Sequence, residues 1–385
     1  MSFFKSSKNY IGIDIGSDSI KMIEINKENN RPKLSTYGYA ENLKNITRNN
    51  TETAQKQTAD IIVNIHKQAG FKSRQVIAAL HNFSVFSSVI SLPRVRESEL
   101  SNNIILEAKK FVPIPLEEVI LDWKIITPQN NNNDLNSKLT VQKEQKNNNF
   151  DSAAESSTKK NINILKTKPA ADNDNIEILL TVAPKKLVRR YINIFKLSKL
   201  NLTSLETESF ALTRALLYKD NQRAMILDIG SVASDIIIIE NGFPIISRSI
   251  DVGGITITQA IEKSLNINTA RAEQFKRDIG LSAQESQASI RQVIETAFAP
   301  VLNEARYSLE LYKSRDQILD KIILSGGSAL LGGLADFISK FLNLKVYIGN
   351  PWDKIIYPQE LEPVLTEIGP RFTVSIGLAL REILV

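Results

Sequence analysis

The hydrophobic residues form short runs whose spacing predicts alternating strands and helices. Apolar runs at Tyr10–Asp14 and Ile20–Ile25 flank the tight turn Gly16–Ser19, which predicts a β-hairpin. In Thr53–Gln68 the isoleucines recur at helical spacing, and Gly70 supplies a stop signal. These signals predict a hairpin followed by an amphipathic helix.

The second half of the chain repeats this order. Apolar runs at Ala224–Asp228 and Asp235–Glu240 predict another hairpin, and two or three helices are expected within Thr256–Arg315. A strand at Lys321–Leu324 then enters a glycine-rich turn, and a last helix is expected over Val374–Ile383. The chain is therefore predicted to be an α/β protein with a duplicated core.

Residues 127–175 depart from these patterns. The segment contains the runs Asn130–Asn133 and Asn147–Asn149, mixed charges and a single aromatic residue, Phe150. Such a composition cannot bury enough apolar surface to offset the entropy of ordering. We expect a disordered loop that joins a strand at Val119–Ile126 to one at Ile176–Ala183.

Composition excludes several kinds of chemistry. The 385 residues include no cysteine and two histidines, so disulfides, thiol nucleophiles and Cys-ligated metals are excluded, and His-based sites are disfavoured. The net charge of +6 is small, and its densest group (Lys185, Lys186, Arg189, Arg190) lacks interleaved aromatic residues. That group is interpreted as a solvated helix face, and nucleic acid is not expected as a partner. No apolar run is long enough to predict a transmembrane helix.

An internal repeat is the most informative motif. Asp-Ile-Gly-Ser occurs at Asp14–Ser17 and again at Asp228–Ser231, each time between two apolar strands. Such a turn can direct backbone N–H groups and a serine hydroxyl at one anionic group. Each aspartate can hold waters around a Mg²⁺ ion that neutralises phosphate. One copy alone is typical of ordinary sheet turns, but two matching copies indicate a clamp for polyphosphate.

A third element is the glycine-rich turn at Ser325–Gly333, where absent side chains let a flat ligand approach the backbone. The same turn would also serve plain strand–helix packing. The order of the three elements resembles the phosphate-1, phosphate-2 and adenosine motifs of the actin, DnaK-type chaperone and sugar-kinase superfamily. The resemblance implies an actin-like (ribonuclease H-like) two-lobed fold with duplicated βββαβα cores.

The resemblance also implies the residues that bind ATP and Mg²⁺. The residues in the nucleotide-binding positions are Asp14, Gly16, Ser17, Ser19, Lys21, Asp228, Gly230, Ser231, Ser234, Glu273, Lys276, Gly326, Gly327 and Ser328. Asp14 and Asp228 would hold Mg²⁺ through water. Lys21 can equally be an exposed strand lysine, and Glu273–Lys276 can be a surface ion pair.

Hydrolysis would need a carboxylate that orients water. Glu206 and Glu208 lie near the position where the superfamily places this acid, and Glu206 is our candidate. Slow ATPase activity is left open, because binding phosphate and Mg²⁺ does not require cleavage.

Six further motifs narrow the likeness within the superfamily: Ser91–Val95, Phe111–Val119, Leu121–Trp123, Thr181–Lys185, Ser247–Gly254 and Ile376–Arg381. On these motifs the chain resembles the PilM family of type IV pilus assembly proteins. His81-Asn82 stands where the family usually has Pro-Gly, a departure of little consequence if that turn only connects strands.

The PilM resemblance implies a cytoplasmic adaptor, peripheral at the inner membrane, that captures the N-terminal tail of a PilN-like membrane protein. The setting would be a type IV pilus or a related type II secretion system. Phe86, Val89, Leu92 and Phe111 are candidate contacts for the tail, or else core residues. A pilus motor ATPase or platform protein is a further expected partner, and the fold is compatible with self-association.

Two alternatives share the fold. An FtsA-like division protein would end in an amphipathic membrane helix after a linker, whereas this chain stops at Val385 within its closing helix. Membrane contact is therefore expected to be indirect. A small-molecule kinase would need a sugar-recognition constellation, which the sequence does not show.

The likeness divides the chain into four parts. The expected boundaries are 1–82 with 184–223 and 366–385 for the core of lobe 1, 83–183 for a small inserted α+β subdomain, 224–260 with 317–365 for the core of lobe 2, and 261–316 for its helical subdomain.

Overall fold

A computed structural model describes residues 9–43, 49–112, 114–126, 175–220, 222–282, 288–315 and 317–384. The strands are β1 (Tyr10–Ile15), β2 (Ser19–Glu28), β3 (Arg31–Glu41), β4 (Gln75–Leu80), β5 (Phe86–Pro93), β6 (Val119–Ile125), β7 (Asn175–Pro184), β8 (Asn201–Thr207), β9 (Ala224–Ile229), β10 (Ser234–Glu240), β11 (Phe243–Ile250), β12 (Lys321–Ser325) and β13 (Val346–Ile348). The helices are α1 (Glu52–Gln68), α2 (Glu97–Phe111), α3 (Lys185–Leu197), α4 (Glu208–Leu217), α5 (Gly254–Leu265), α6 (Thr269–Ile279), α7 (Ala288–Lys313), α8 (Leu334–Leu342) and α9 (Glu362–Leu380). The loop predicted at 127–175 lies, apart from Asn175, outside the described residues.

The first sheet has the strand order β3-β2-β1-β4-β8. The predicted hairpin is confirmed, with β1 and β2 antiparallel and Asp14 paired across the ladder with Lys21. Strands β1, β4 and β8 run parallel, so their carboxyl ends reach one edge of the sheet. The hydrophobic pattern missed β8, because this edge strand is mostly half-exposed and carries polar residues.

The second sheet has the order β11-β10-β9-β12-β13, which repeats the arrangement of the first. Its hairpin, β9 with β10, is antiparallel, and β12 lies parallel to β9 on the other side. The duplicated α/β architecture expected from the repeat is therefore confirmed. A third, smaller sheet with the order β5-β7-β6 packs with α2 around its own apolar cluster.

Helices α4 and α9 join the two large sheets. Their buried side chains share one apolar cluster with residues of β4, β9, β10 and β12. A Cβ at Gly377 would lie 1.9 Å from the Ala211 carbonyl oxygen, and one at Gly12 would lie 2.0 Å from that of Ser375. These glycines let α9 approach α4 and β1 more closely than any side chain would allow.

Helix α9 begins well before the predicted Val374. Pro370 predicts a helix break, yet it lies inside α9 and is buried. Burial along the whole inner face of α9 offsets the backbone hydrogen bond that a proline cannot donate. None of the described helices is both long and apolar enough to cross a membrane.

Candidate functional site

The two repeated turns face one cavity of about 870 Å³. Thirteen of the predicted site residues line it: Asp14, Gly16, Ser17, Ser19, Lys21, Asp228, Gly230, Ser231, Glu273, Lys276, Gly326, Gly327 and Ser328. The structure therefore brings together residues that lie more than 300 positions apart in the chain. Their role in binding nucleotide stays a prediction.

In the first turn an aspartate and a lysine form an ion pair. The Lys21 Nζ atom lies 3.1 Å from Asp14 Oδ2, and both side chains are largely buried. The hairpin register places them opposite each other at the mouth of the turn. This part of the cavity wall thus presents a cation directly beside a carboxylate.

The second turn is held by the start of α5. The backbone N–H groups of Gly254 and Ile255 donate to the carbonyls of Gly230 (2.9 Å) and Ser231 (2.8 Å). Ser234, predicted to bind phosphate, does not line the cavity: it is buried and its hydroxyl donates to the Val252 carbonyl at 2.6 Å. Its role is to brace the chain between β11 and α5.

Asp228 has a different environment from Asp14. Its carboxylate has no ion-pair partner among the described residues. Burial, followed by repulsion from the Glu208 carboxylate, raises the pKa of Asp228 to about 7, although a hydrogen bond from Ser325 acts in the opposite sense. The second turn therefore carries a carboxyl that takes up a proton near neutral pH.

The glycine-rich turn lies between the second sheet and α9. Gly326 has φ +86°, and a Cβ there would lie 2.4 Å from the Ile229 carbonyl oxygen. Its N–H donates to the Pro370 carbonyl at 2.9 Å. At Gly327 a Cβ would meet only the Arg371 side chain within 4 Å, at 3.7 Å. The turn thus packs tightly against β9 at Gly326, whereas at Gly327 it leaves space in which a flat ligand could lie.

The predicted pair Glu273–Lys276 joins two helices at the cavity wall. Lys276 Nζ donates to Glu273 Oε2 at 2.6 Å, to Thr258 Oγ1 at 2.9 Å and to the Gly254 carbonyl at 3.1 Å. Burial lowers the pKa of Lys276, and the Glu273 carboxylate partly offsets this effect. The pair therefore holds α6 against α5 while bordering the cavity.

Glu206, the candidate water-positioning acid, does not line the cavity. The Arg214 guanidinium donates to both of its carboxylate oxygens, at 2.6 and 2.9 Å. A bidentate pair of this kind is a strong structural contact and leaves no oxygen directed at a ligand. The structure therefore does not place Glu206 at the cavity, and its role in hydrolysis stays a prediction.

Glu208 and His81 line the cavity instead, and they are paired with each other. His81 Nδ1 lies 2.7 Å from Glu208 Oε1, and the Asn82 N–H donates to Glu208 Oε2 at 3.1 Å. Burial opposes the charged form of His81, but the Glu208 carboxylate offsets it and raises the pKa of His81 overall. Burial also disfavours ionised Glu208, yet the His81 contact lowers its pKa.

The His81-Asn82 departure therefore does more than connect strands. Asn82 Oδ1 accepts hydrogen bonds from the N–H (3.2 Å) and hydroxyl (2.8 Å) of Ser209, and the chain continues from Asn82 into the third sheet. The signal that could have located these residues was topological. His81 and Glu208 follow β4 and β8, whose carboxyl ends share an edge with Asp14.

Asp235 adds another carboxyl to the cavity wall. It pairs with Asp228 across the β9–β10 ladder. Burial, followed by repulsion from Glu208, raises the pKa of Asp235 to about 8. Acidic groups thus outnumber cations on this wall, which favours a bound cation.

A magnesium ion fits this donor set through water and phosphate rather than through direct protein ligation. No group of three or more His, Cys, Asp or Glu side chains could hold a metal among the residues that the structure describes. Asp14 and Asp228 nevertheless border one cavity from the two repeated turns. Carboxylates in this position can accept hydrogen bonds from metal-bound water.

The fold is that of the actin-like proteins. The chain superposes on MreB5 of Spiroplasma citri bound to AMPPNP with a TM-score of 0.51, at 14% identity, over 98% of this chain and 97% of that one. It superposes equally well (TM-score 0.51, 15% identity, 96% and 88% coverage) on the ethanolamine utilization protein EutJ from Carboxydothermus hydrogenoformans.

A family model described as type IV pilus assembly protein PilM matches residues 12–162 and 161–383, so the chain belongs to the PilM family. A solved PilM–PilN type IV pilus biogenesis complex superposes with a TM-score of 0.75 at 22% identity, covering 97% of this chain and 98% of that one.

Curated relatives match over part of their length. The cell division protein FtsA of Neisseria meningitidis serogroup B is 26% identical over 176 residues, which are 40% of this chain and 41% of FtsA. FtsA of Bacillus subtilis is 22% identical over 199 residues, or 46% and 45%. The chain thus spans less than half the length of the curated relatives it matches.

Proposed function

We propose that the protein is an ATP-binding, Mg²⁺-dependent adaptor of the type IV pilus, or of a related type II secretion system. It binds the N-terminal tail of a PilN-like membrane protein on the cytoplasmic side of the inner membrane. The observation that carries the nucleotide part is the meeting of both Asp-Ile-Gly-Ser turns at one cavity. Membership of the PilM family supports the pilus part.

The cavity residues suit a nucleoside triphosphate. Lys21 and the two serine-containing turns supply donors for phosphate, and Gly326 and Gly327 leave a flat surface for the base. Bound Mg²⁺ would neutralise phosphate charge. Asp14 and Asp228 are the residues that would hold the waters of this ion. AMPPNP bound to MreB5, a protein of the same fold, agrees with this proposal.

We propose binding rather than efficient hydrolysis. Both carboxylate oxygens of Glu208 are engaged, one by His81 and one by the Asn82 N–H. Glu206 is held by Arg214. Each oxygen of these two carboxylates already has a protein partner, so orienting an attacking water would require sharing or displacing that contact.

Of the four expected contacts, we propose that Phe111 alone serves the tail, because Phe86 packs against the apolar cluster of the third sheet. Leu92 is buried in the core of the third sheet, and Val89 packs partly against the lobe 2 core, so these residues do not form one groove. Phe111 is 50% exposed, and the chain beyond it lines a depression of about 470 Å³ with Val112 and Ile114. We propose Phe111 and this depression as the apolar contact.

Fluorescence anisotropy tests the proposal. A labelled peptide copying the cytoplasmic tail of the PilN-like protein encoded beside this chain is titrated without nucleotide, with Mg-ADP and with Mg-ATP. Saturable binding that shifts with nucleotide measures the coupling free energy between the two sites. Phe111→Ala should weaken binding at least tenfold, whereas Ile318→Ala, a change at a 73% exposed residue of lobe 2, should not.

Absence of peptide binding in all three states, with nucleotide still bound, would remove the adaptor role and leave the ATP site standing. If the peptide binds but no nucleotide does, the ATP site is removed and the adaptor role stands. The two parts of the proposal can therefore fail separately.

A further inference from the structure

Helix α3 concentrates positive charge. Between Lys185 and Lys199 the chain has six basic residues and no acidic one, while the whole chain has a net charge of +6. The charge of this short segment therefore equals the net charge of the entire protein. Outside this segment the basic and acidic residues are equal in number.

The inner face of α3 is apolar and buried. Tyr191, Ile194 and Phe195 are at most 3% exposed and belong to the core cluster of the first sheet. At 100° per residue, the opposite face of the helix carries Lys186 and Arg189. Both of these side chains are exposed.

The outward face has no counter-charges of its own. Lys186, Arg189 and Lys196 are exposed, and none of them makes an ion pair with a residue that the structure describes. Large apolar side chains flank this basic stripe on either side, with Ile192 50% and Leu197 51% exposed. The outward face of α3 is therefore a cationic stripe between two exposed apolar side chains.

We propose that this face of α3 lies directly on a membrane surface that contains anionic lipid. Lysine and arginine are attracted to anionic headgroups, and exposed aliphatic side chains beside them enter the headgroup boundary. Surfaces for single-stranded nucleic acid use exposed aromatics for stacking, whereas both aromatic residues of α3 are buried in the core. Duplex DNA is bound through its phosphates and has no use for the exposed Ile192 and Leu197, which favour a membrane surface.

Helix α3 follows the third sheet directly. Strand β7 of the third sheet ends at Pro184 and α3 begins at Lys185, so the cationic face adjoins the small subdomain. The contact does not depend on the PilN-like tail or on ATP. It changes the expectation of indirect membrane attachment, because the protein itself touches the bilayer.

Vesicle flotation with the full chain tests the proposal. We expect the protein to float with phosphatidylcholine vesicles containing 30% phosphatidylglycerol and to stay behind with pure phosphatidylcholine. Each charge near an anionic surface contributes about fivefold in affinity, so the triple variant Lys186→Glu, Arg189→Glu, Lys196→Glu should lose at least about a hundredfold. Raising the salt concentration should reproduce part of this loss.

A matched control separates the helix from net charge. The variant Lys263→Glu, Lys340→Glu, Lys345→Glu makes the same change in charge at exposed lysines of lobe 2. It should float nearly as the unmodified chain does. Equal loss in both triple variants would overturn the assignment to α3, as would unaltered flotation of the α3 variant.

The apolar part has its own test. Ile192→Ser with Leu197→Ser keeps every charge and should weaken flotation severalfold. Suppose that the double serine variant floats as well as the unmodified chain, and that duplex DNA binds through Lys186, Arg189 and Lys196 at least as tightly as the vesicles do. The face is then a nucleic-acid surface, and the proposal is wrong. Retained circular dichroism and nucleotide binding in every variant exclude misfolding as the cause.

Discussion

The two copies of Asp-Ile-Gly-Ser have the same four residues and face the same cavity, yet their aspartates are in opposite electrostatic environments. Asp14 lies 3.1 Å from the Lys21 ammonium. Asp228 faces Glu208 and Asp235, and its pKa is raised to about 7. The strand that follows each turn decides the difference, because it places Lys21 opposite Asp14 and Asp235 opposite Asp228.

The comparison shows that a duplicated motif need not have duplicated chemistry. Backbone donors come from the turn itself and are shared by both copies, whereas charge comes from the facing strand and is not. We infer that the first turn binds phosphate directly. We infer likewise that the second turn serves mainly as a site for a cation that offsets the charge of its carboxylates.

Removing the lysine should break the asymmetry with the largest effect. Lys21→Met leaves Asp14 buried without its cation and removes a donor to phosphate. We expect ATP affinity to fall about a hundredfold, since charge-assisted contacts to a desolvated partner are worth about 3 kcal/mol. Isothermal titration calorimetry measures this. Lys263→Met, at an exposed position, is the control and should change nothing; a loss below about threefold at Lys21 would contradict a phosphate contact.

Replacing each aspartate with asparagine sharpens the comparison. Asp14→Asn should weaken Mg-ATP binding about tenfold. Asp228→Asn should weaken it less, by about threefold, because this carboxyl is already partly protonated near pH 7. Titrations at pH 7 and pH 8.5 should show that the two variants lose more nearly the same affinity at the higher pH, where Asp228 is ionised. Equal losses at pH 7 would mean that the two turns are equivalent.

The same raised pKa values predict that the contribution of the carboxyls to folding stability decreases at higher pH, where their ionised forms would favour Mg-ATP binding. The folded pKa of Asp228 (about 7) and that of Asp235 (about 8) exceed the ordinary value of 3.8, so the folded state holds more protons than the unfolded state between these limits. The contribution of these two carboxyls to stability without nucleotide therefore falls as pH rises from about 4 to about 8. His81, with its raised pKa, acts in the same sense because its charged form is lost at higher pH.

Asp228→Asn removes a charge that the fold disfavours. We expect it to raise the free energy of unfolding at pH 8 by on the order of 1–2 kcal/mol, a discounted figure because the side chain borders an open cavity. The gain should vanish near pH 4. Urea unfolding at both pH values checks this, and destabilisation at pH 8 would show that the carboxylate is held by partners instead.

The smallest effect is expected at Glu208, which raises the pKa of both other acids. Glu208→Gln should lower the pKa values of Asp228 and Asp235 and shift the fall in their contribution to stability to lower pH. His81 also loses its carboxylate, so burial should lower its pKa. A pH series of thermal midpoints measures the shift. If the profile stays in place, Glu208 does not act on these acids through charge.

Sequence reasoning located the turns better than the acids. Glu206 and Glu208 are two residues apart and would point to one face of a continuing strand. The chain instead leaves β8 at Thr207 and enters α4 at Glu208, so Glu206 meets Arg214 and Glu208 meets His81. No local pattern reveals which of two nearby carboxylates such a transition will bring to a cavity.

Elements whose signals are local could be predicted from the residues alone. Hairpins need apolar runs and turn residues, and the glycine-rich turn needs glycine at Gly326 because of its positive φ. The repeat Asp14–Ser17 and Asp228–Ser231 indicated duplication, which implied a two-lobed protein with a shared site. These inferences needed nothing beyond short-range geometry and the order of motifs.

Features that depend on partners far away in the chain emerged with the folded packing. Helix α9 continues past Pro370 because its inner face is buried. The Ser234 hydroxyl does not line the cavity because it donates to the Val252 carbonyl. The charges at the site were also decided there, because a carboxyl's pKa depends on the groups around it, and the groups around Asp228 come from other strands. Sequence spacing fixes none of these distances, whereas packing of the two sheets and the helices between them does.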